Sequence, residues 1–236
     1  MQFFDKIYIL NLKKRKDRFL KMKKRLAFVE INNYEFFQAV DGEIMVSIFN
    51  MISDKNIFFQ NSNYLATTLS HLSIYYDALM NKYKKILILE DDVKINVNIK
   101  EIFENIKEQI PENYDILYLG YIPLSDDLSM WNYNLIDKNM YISNNIFKAK
   151  NLWGLYAYSV SNIFMETVLY KYYKNEIFME LDRYFVNIIQ PQQNSYGIIP
   201  QLFCLDNEYS DNTKRFDDDL LRKSVDTRYA NYFDFI

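Results

Sequence analysis

Residues 86–95, ILILEDDVKI, run four aliphatic side chains into three consecutive acids, Glu90, Asp91 and Asp92, and then turn apolar again. A short unbroken aliphatic run of this kind reads as a strand covered on both faces, the habit of parallel sheets in α/β proteins. A buried strand that ends in three charges of one sign calls for a compensating positive charge. Alternate side chains of an extended chain share a face, so Glu90 and Asp92 point one way and Asp91 the other. Two carboxylates about 5 Å apart repel by roughly 3 kcal/mol at an effective dielectric of about 20. A hard divalent cation removes that penalty, and Mg²⁺ and Mn²⁺ prefer oxygen ligands. The plainer reading is an acidic, solvated turn. Against it, no Gly or Pro stands nearby and the apolar pattern resumes at once.

The flanking sequence alternates strand-like and helix-like patterns. Residues 6–12 (KIYILNL) read as a first strand. Residues 13–29 place Phe19, Met22, Leu26 and Val29 at helical spacing, with cations on the other faces. A second strand is expected over 34–39, followed by the turn signal Asp41-Gly42. Residues 64–80 read as a helix, 84–89 as the aliphatic strand, and 99–110 as a helix stopped by Pro111. Residues 114–122 and 152–161 read as strands, 162–173 as a helix and 196–206 as a late strand. This alternation predicts an α/β fold around a mostly parallel sheet, in which ligands collect at the carboxyl ends of the strands. Receiver domains also show paired acids after an aliphatic strand. Here, however, the next strand-associated acid, Asp115, precedes its aliphatic run instead of ending it.

Composition narrows the function classes. Half of the 236 residues are hydrophobic and 17% are aromatic, enough for a sizeable core and for a homodimer surface. A net charge of −3 argues against a nucleic-acid-binding surface. The glycines are Gly42, Gly120, Gly154 and Gly197, too scattered for a Gly-rich dinucleotide fingerprint or a P-loop. Phosphates would therefore be held by metal ions and basic side chains. The lone Cys204, the lack of a signal-peptide pattern and the lack of a long apolar stretch lead to the expectation of a cytoplasmic protein with no transmembrane segment.

Eight segments together resemble glycosyltransferase family 25: IYILNLKKRKDR, FQAVDGE, LSH, ILILEDDV, YDILYLG, GLYAYSVS, LDRYF and PQLF…YSDN, in that order. The resemblance runs from residue 6 to about 212. It implies a GT-A type nucleotide-sugar-binding fold over 1–212, with 213–236 as a C-terminal helix or arm. It also implies inverting transfer of galactose or glucose from UDP-galactose or UDP-glucose, dependent on Mn²⁺ or Mg²⁺. The acceptor would be a saccharide, as in lipopolysaccharide, or a collagen-like protein bearing hydroxylysine.

Carried onto this chain, the acidic motif is Glu90-Asp91-Asp92, with Glu90 and Asp92 toward the metal and Glu90 and Asp91 toward the nucleotide sugar. Asn11 and Arg18 belong to the same donor site, and the resemblance makes Arg18 a counter-charge for the diphosphate. The other basic residues of that helix are expected in solvent. Asp41 and Gly42 would meet the uridine. Asp182 would act as the base, with Asp211 in reserve as base or metal ligand. His71 would lie near the donor without a catalytic role. The chain departs from the family in lacking the Gly-Cys pair that often precedes LSH. A non-catalytic nucleotide-sugar-binding or scaffold protein, and a metal-dependent phosphohydrolase, are the rival readings.

Overall fold

The computed structural model describes residues 2–53, 61–127, 129–177 and 179–206, together with 209–210, 215–216, 224–225 and 236. Asp211 and most of the expected C-terminal arm lie outside the described residues.

Strands β1 (Lys6–Asn11), β2 (Tyr34–Gln38), β3 (Lys85–Glu90), β5 (Ile116–Pro123), β6 (Ile146–Lys148), β7 (Leu152–Ser161) and β8 (Ser195–Ile198) form one sheet in the order β2-β1-β3-β7-β5-β8-β6. β4 (Val93–Ile95) pairs antiparallel with β9 (Phe203–Leu205) beside it. β2, β1, β3, β5 and β8 share one direction, while β7 and β6 oppose them. The mostly parallel α/β fold expected from the sequence is therefore present. Alternation and burial identify β7 as a strand but do not encode its direction, and it runs antiparallel between β3 and β5.

The alternation of β1 and β3 divides the core into two layers. Ile7, Ile9, Leu87 and Leu89 face one side, where Met22 and Leu26 of α1 (Lys16–Phe28) and Ile99, Ile102, Phe103 and Ile106 of α4 (Ile99–Ile106) cover them. Tyr8, Leu10, Ile86 and Ile88 face the other side. There Leu72, Tyr75 and Ala78 of α3 (Ser62–Met80) and Phe164, Met165 and Val168 of α5 (Asn162–Tyr173) cover them. Each such aliphatic side chain taken from water stabilises the fold by roughly 1.5–3 kcal/mol.

The structure differs from the sequence reading in detail. The helix expected over 99–110 gives way at Ile106 to a 3₁₀ turn, Lys107–Gln109. The single late strand expected over 196–206 splits into β8 and β9 around the cis Ile199–Pro200 peptide. Helix α2 (Val46–Ser53) was not anticipated. Among the described residues no helix is long and apolar enough to cross a membrane.

Candidate functional site

β1 and β3 are parallel neighbours with Leu10 opposite Glu90. Their register brings the end of β1 against the acidic triplet, at the mouth of a cavity of about 290 Å³. Asp91 turns inward: its carboxylate accepts from Asn11 Nδ2 at 2.6 Å and from Arg18 Nη1 at 2.9 Å. Asp92 accepts from the same Arg18 nitrogen at 3.0 Å. Glu90, the last residue of β3, presents a side chain that is 29% exposed and lines the cavity. Asn11 is tied to its own turn as well, donating to the Arg15 carbonyl at 3.2 Å.

Asp182 arrives from a different part of the chain. It stands in the first turn of α6 (Leu181–Tyr184), which follows the β7–α5 unit, and it lines the same cavity. Burial, together with the negative charge of Glu90, pushes its carboxyl up to about 7, although His71 and the Leu155 backbone pull the other way. Burial also raises Glu90 well above the usual carboxylate range, and the charges of Asp92 and Asp91 add to the effect. Among the described residues, Arg18 is thus the cation bonded to Asp91 and Asp92, and the carboxylates that line the cavity outnumber it there.

The far edge of the cavity is the turn after β2. Asp41 Oδ1 accepts from Lys14 Nζ at 3.1 Å and from the Glu43 amide at 3.0 Å. Gly42 is required by a close approach: a Cβ there would stand 2.0 Å from Asn63 Oδ1 at the start of α3. Gly154, on the opposite wall, takes φ +98° and leaves room for the Tyr156 ring, which also lines the cavity.

The structure therefore gathers Asn11, Arg18, Asp41, Gly42, Glu90, Asp91, Asp92 and Asp182 around one hollow. All of them except Asn11 line it directly. Two features escaped the sequence reading. Arg25, expected in solvent with the other cations of α1, is buried and bonds the Val93 carbonyl and Asp206. Its spacing of seven from Arg18, two helical turns on the same face, was the available signal. The second is the approach of His71 to Glu90, at 3.6 Å.

Among the described residues no group of three or more His, Cys, Asp or Glu side chains forms a metal cage by itself. The donor set fits instead the mode in which one or two carboxylates and the substrate's own phosphates share a hard cation. Glu90 and Asp92 could supply those carboxylates, and a cation there would relieve their charge.

The profile of Glycosyltransferase family 25 (LPS biosynthesis protein) matches residues 4–187. A putative glycosyltransferase, R655, of Acanthamoeba polyphaga mimivirus is 29% identical over 128 residues, 52% of this chain and 40% of that protein. Procollagen galactosyltransferase 2 of Mus musculus is 26% identical over 133 residues, 50% of this chain and 21% of that protein. The inactive glycosyltransferase 25 family member 3 of Homo sapiens is 28% identical over 130 residues, 50% of this chain and 22% of that protein. The matched stretch covers less than half the length of each of these relatives. With 184 residues (4 to 187) inside the family profile, and the profile spanning the triplet, most of the residues that line the cavity and α6, this chain belongs to glycosyltransferase family 25.

Proposed function

We propose that the chain transfers galactose or glucose from a UDP-sugar to an acceptor hydroxyl, with inversion and in dependence on Mn²⁺ or Mg²⁺. The observation that carries this reading is the convergence of Glu90, Asp92 and Asp182 on one cavity, from elements far apart in sequence. A cation held by Glu90 and Asp92 would stabilise the negative charge that UDP acquires as it leaves.

The chain's own groups divide the remaining work. Arg18 directs Asp91 and Asp92, because its guanidinium bonds both, and it opposes the upward push that burial and the charge of Asp92 give Asp91. The Asp41-Gly42 turn, which lines the cavity, meets the uridine. Asp182 takes the acceptor proton: a base is most effective when its pKa lies near the working pH, and burial has brought this carboxyl to about 7. The acceptor is a saccharide or a collagen-like hydroxylysine, and the chemistry at Asp182 is the same for both.

A second reading has one observation in its favour. The relative described as inactive is as similar to this chain, at 28%, as the galactosyltransferase is, at 26%. A donor screen separates the two. With Mn²⁺ present, UDP release from UDP-galactose or UDP-glucose, abolished by chelation, is the expected result. UDP binding without release from any donor, whatever the acceptor, would favour a non-catalytic protein, and release of inorganic phosphate would favour a phosphohydrolase.

A further inference from the structure

His71 is the chain's single histidine and lies fully buried on α3. Its Nδ1 is 2.8 Å from the Tyr158 hydroxyl, which is itself 2.8 Å from the Tyr75 hydroxyl. Both tyrosines are buried. The other ring nitrogen, Nε2, has no hydrogen-bond partner among the described residues. It faces Glu90 Oε1 at 3.6 Å, just beyond hydrogen-bond length.

The protons of this chain can run in two directions. In the first, Tyr75 donates to Tyr158, Tyr158 donates to Nδ1, and the ring carries its proton on Nε2, directed at Glu90. Every proton then has an acceptor or faces one. In the second, Nδ1–H donates to Tyr158 and Tyr158 donates to Tyr75. The Tyr75 proton is then left without an acceptor among the described residues, and the Nε2 lone pair confronts a carboxylate. A buried donor left unsatisfied costs more than the mean hydrogen bond contributes, so the first direction prevails.

We propose that His71 is a positioning residue: locked as the Nε2–H tautomer by the tyrosine pair, it steers the Glu90 carboxylate into the cavity. The gap to Glu90 is of the kind that closes when a ligand fills the site. The positioning role rests on the transferase reading above; the tautomer does not.

A lone histidine makes the test direct. Long-range ¹H–¹⁵N spectra of the labelled full chain, between about pH 6 and pH 8, report one imidazole. One neutral ring protonated on Nε2 is expected, and protonation on Nδ1 or on both nitrogens overturns the proposal. Tyr158→Phe should mix the two tautomers; an unchanged spectrum shows that the tyrosine does not lock the ring.

Positioning is read from calorimetry with Mn²⁺ and UDP and from donor turnover. His71→Phe should weaken Mn²⁺-dependent UDP binding by about 10- to 100-fold, the range found when a group that orients a metal ligand is lost. His71→Gln, which restores an N–H near the Nε2 position, should recover most of that loss. Should His71→Phe fail to fold, His71→Asn keeps an acceptor for Tyr158 while losing the reach to Glu90, and gives the same readout. Equal affinities in wild type and variants overturn the positioning role. An Nε2–H ring and weakened binding in a chain that releases no UDP would sink the transferase reading alone.

Discussion

Arg18 and Arg25 lie two turns apart on one buried face of α1, yet they serve opposite electrostatic ends. Arg18 meets two carboxylates, Asp91 and Asp92, beside two more, Glu90 and Asp182, that burial and mutual repulsion push upward. Arg25 meets a single carboxylate, Asp206, which Lys21 also bonds and Lys94 approaches at 3.9 Å. Burial alone would raise Asp206, but the hydrogen bonds from Arg25 and Lys21 pull it down to about 2. A carboxylate surrounded by cations is a closed account of charge, and it clamps α1 to the β4–β9 pair. Among the described residues, a guanidinium surrounded by carboxylates leaves negative charge over, and that surplus faces the cavity whose rim Asp206 also joins. One helix thus supplies a scaffold at one end and an incomplete site at the other.

The sharpest way to break this contrast is Asp92→Ala. Loss of UDP release and of Mn²⁺-dependent UDP binding is expected, and a purified variant that retains both would show that the surplus charge serves no ligand. Asp182→Asn should lower kcat by about 10²–10⁴-fold while donor KM stays within a few-fold, in initial-rate assays. A drop under about tenfold would place the base elsewhere. Arg25→Met tests the other end. It leaves Asp206 to Lys21 and Lys94, takes the donor from the Val93 carbonyl, and should cost about 1.5–3 kcal/mol in urea unfolding, with Mn²⁺-dependent UDP binding in the folded fraction changed far less than in Asp92→Ala.

The pH dependence of stability should have opposite signs at the two ends. Asp182 is raised on folding from its usual 3.8 to about 7. Its contribution to stability is complete below the unfolded value and is lost as pH rises through the folded one. Asp206 is lowered from 3.8 to about 2, so its contribution is present above the unfolded value and disappears as pH falls toward about 2. Urea midpoints of the ligand-free chain across acid and neutral pH should show a shallower first slope in Asp182→Asn, the rest coming from Glu90 and Asp91, and keep the second. The smallest effect is expected at the surface pair Lys100–Glu30, at 2.6 Å, where solvent screens the charges and Glu30→Ala should leave the urea midpoint unmoved.

The legible parts of this molecule are those written in short-range pattern. The aliphatic run before Glu90, the helical stripe of Met22 and Leu26, and the alternation of 152–161 each announce their element because a side chain's face follows from its position along the chain. The division of the triplet differs from that reading: β3 ends at Glu90, so Asp91 and Asp92 stand in a turn where strand alternation lapses, and both meet one Arg18 nitrogen instead of facing opposite ways. Helix α2 (Val46–Ser53) was harder to read, since Val46, Ile48 and Met51 are exposed and its described side chains form no buried stripe to mark it. The cis peptide before Pro200 divided a stretch whose apolar composition reads as one strand.

By itself the sequence determined the α/β class, the place of the acidic triplet at a strand end, and the family, because these rest on local periodicity and on the order of motifs. Only the tertiary structure decided the antiparallel course of β7, the meeting of Asp182 with Glu90, and the burial of Arg25 against a carboxylate 181 residues away. Strand direction and charge partners are long-range choices, set by which surfaces the whole chain can bury together, and nothing within a few residues of Arg25 distinguishes it from the lysines beside it.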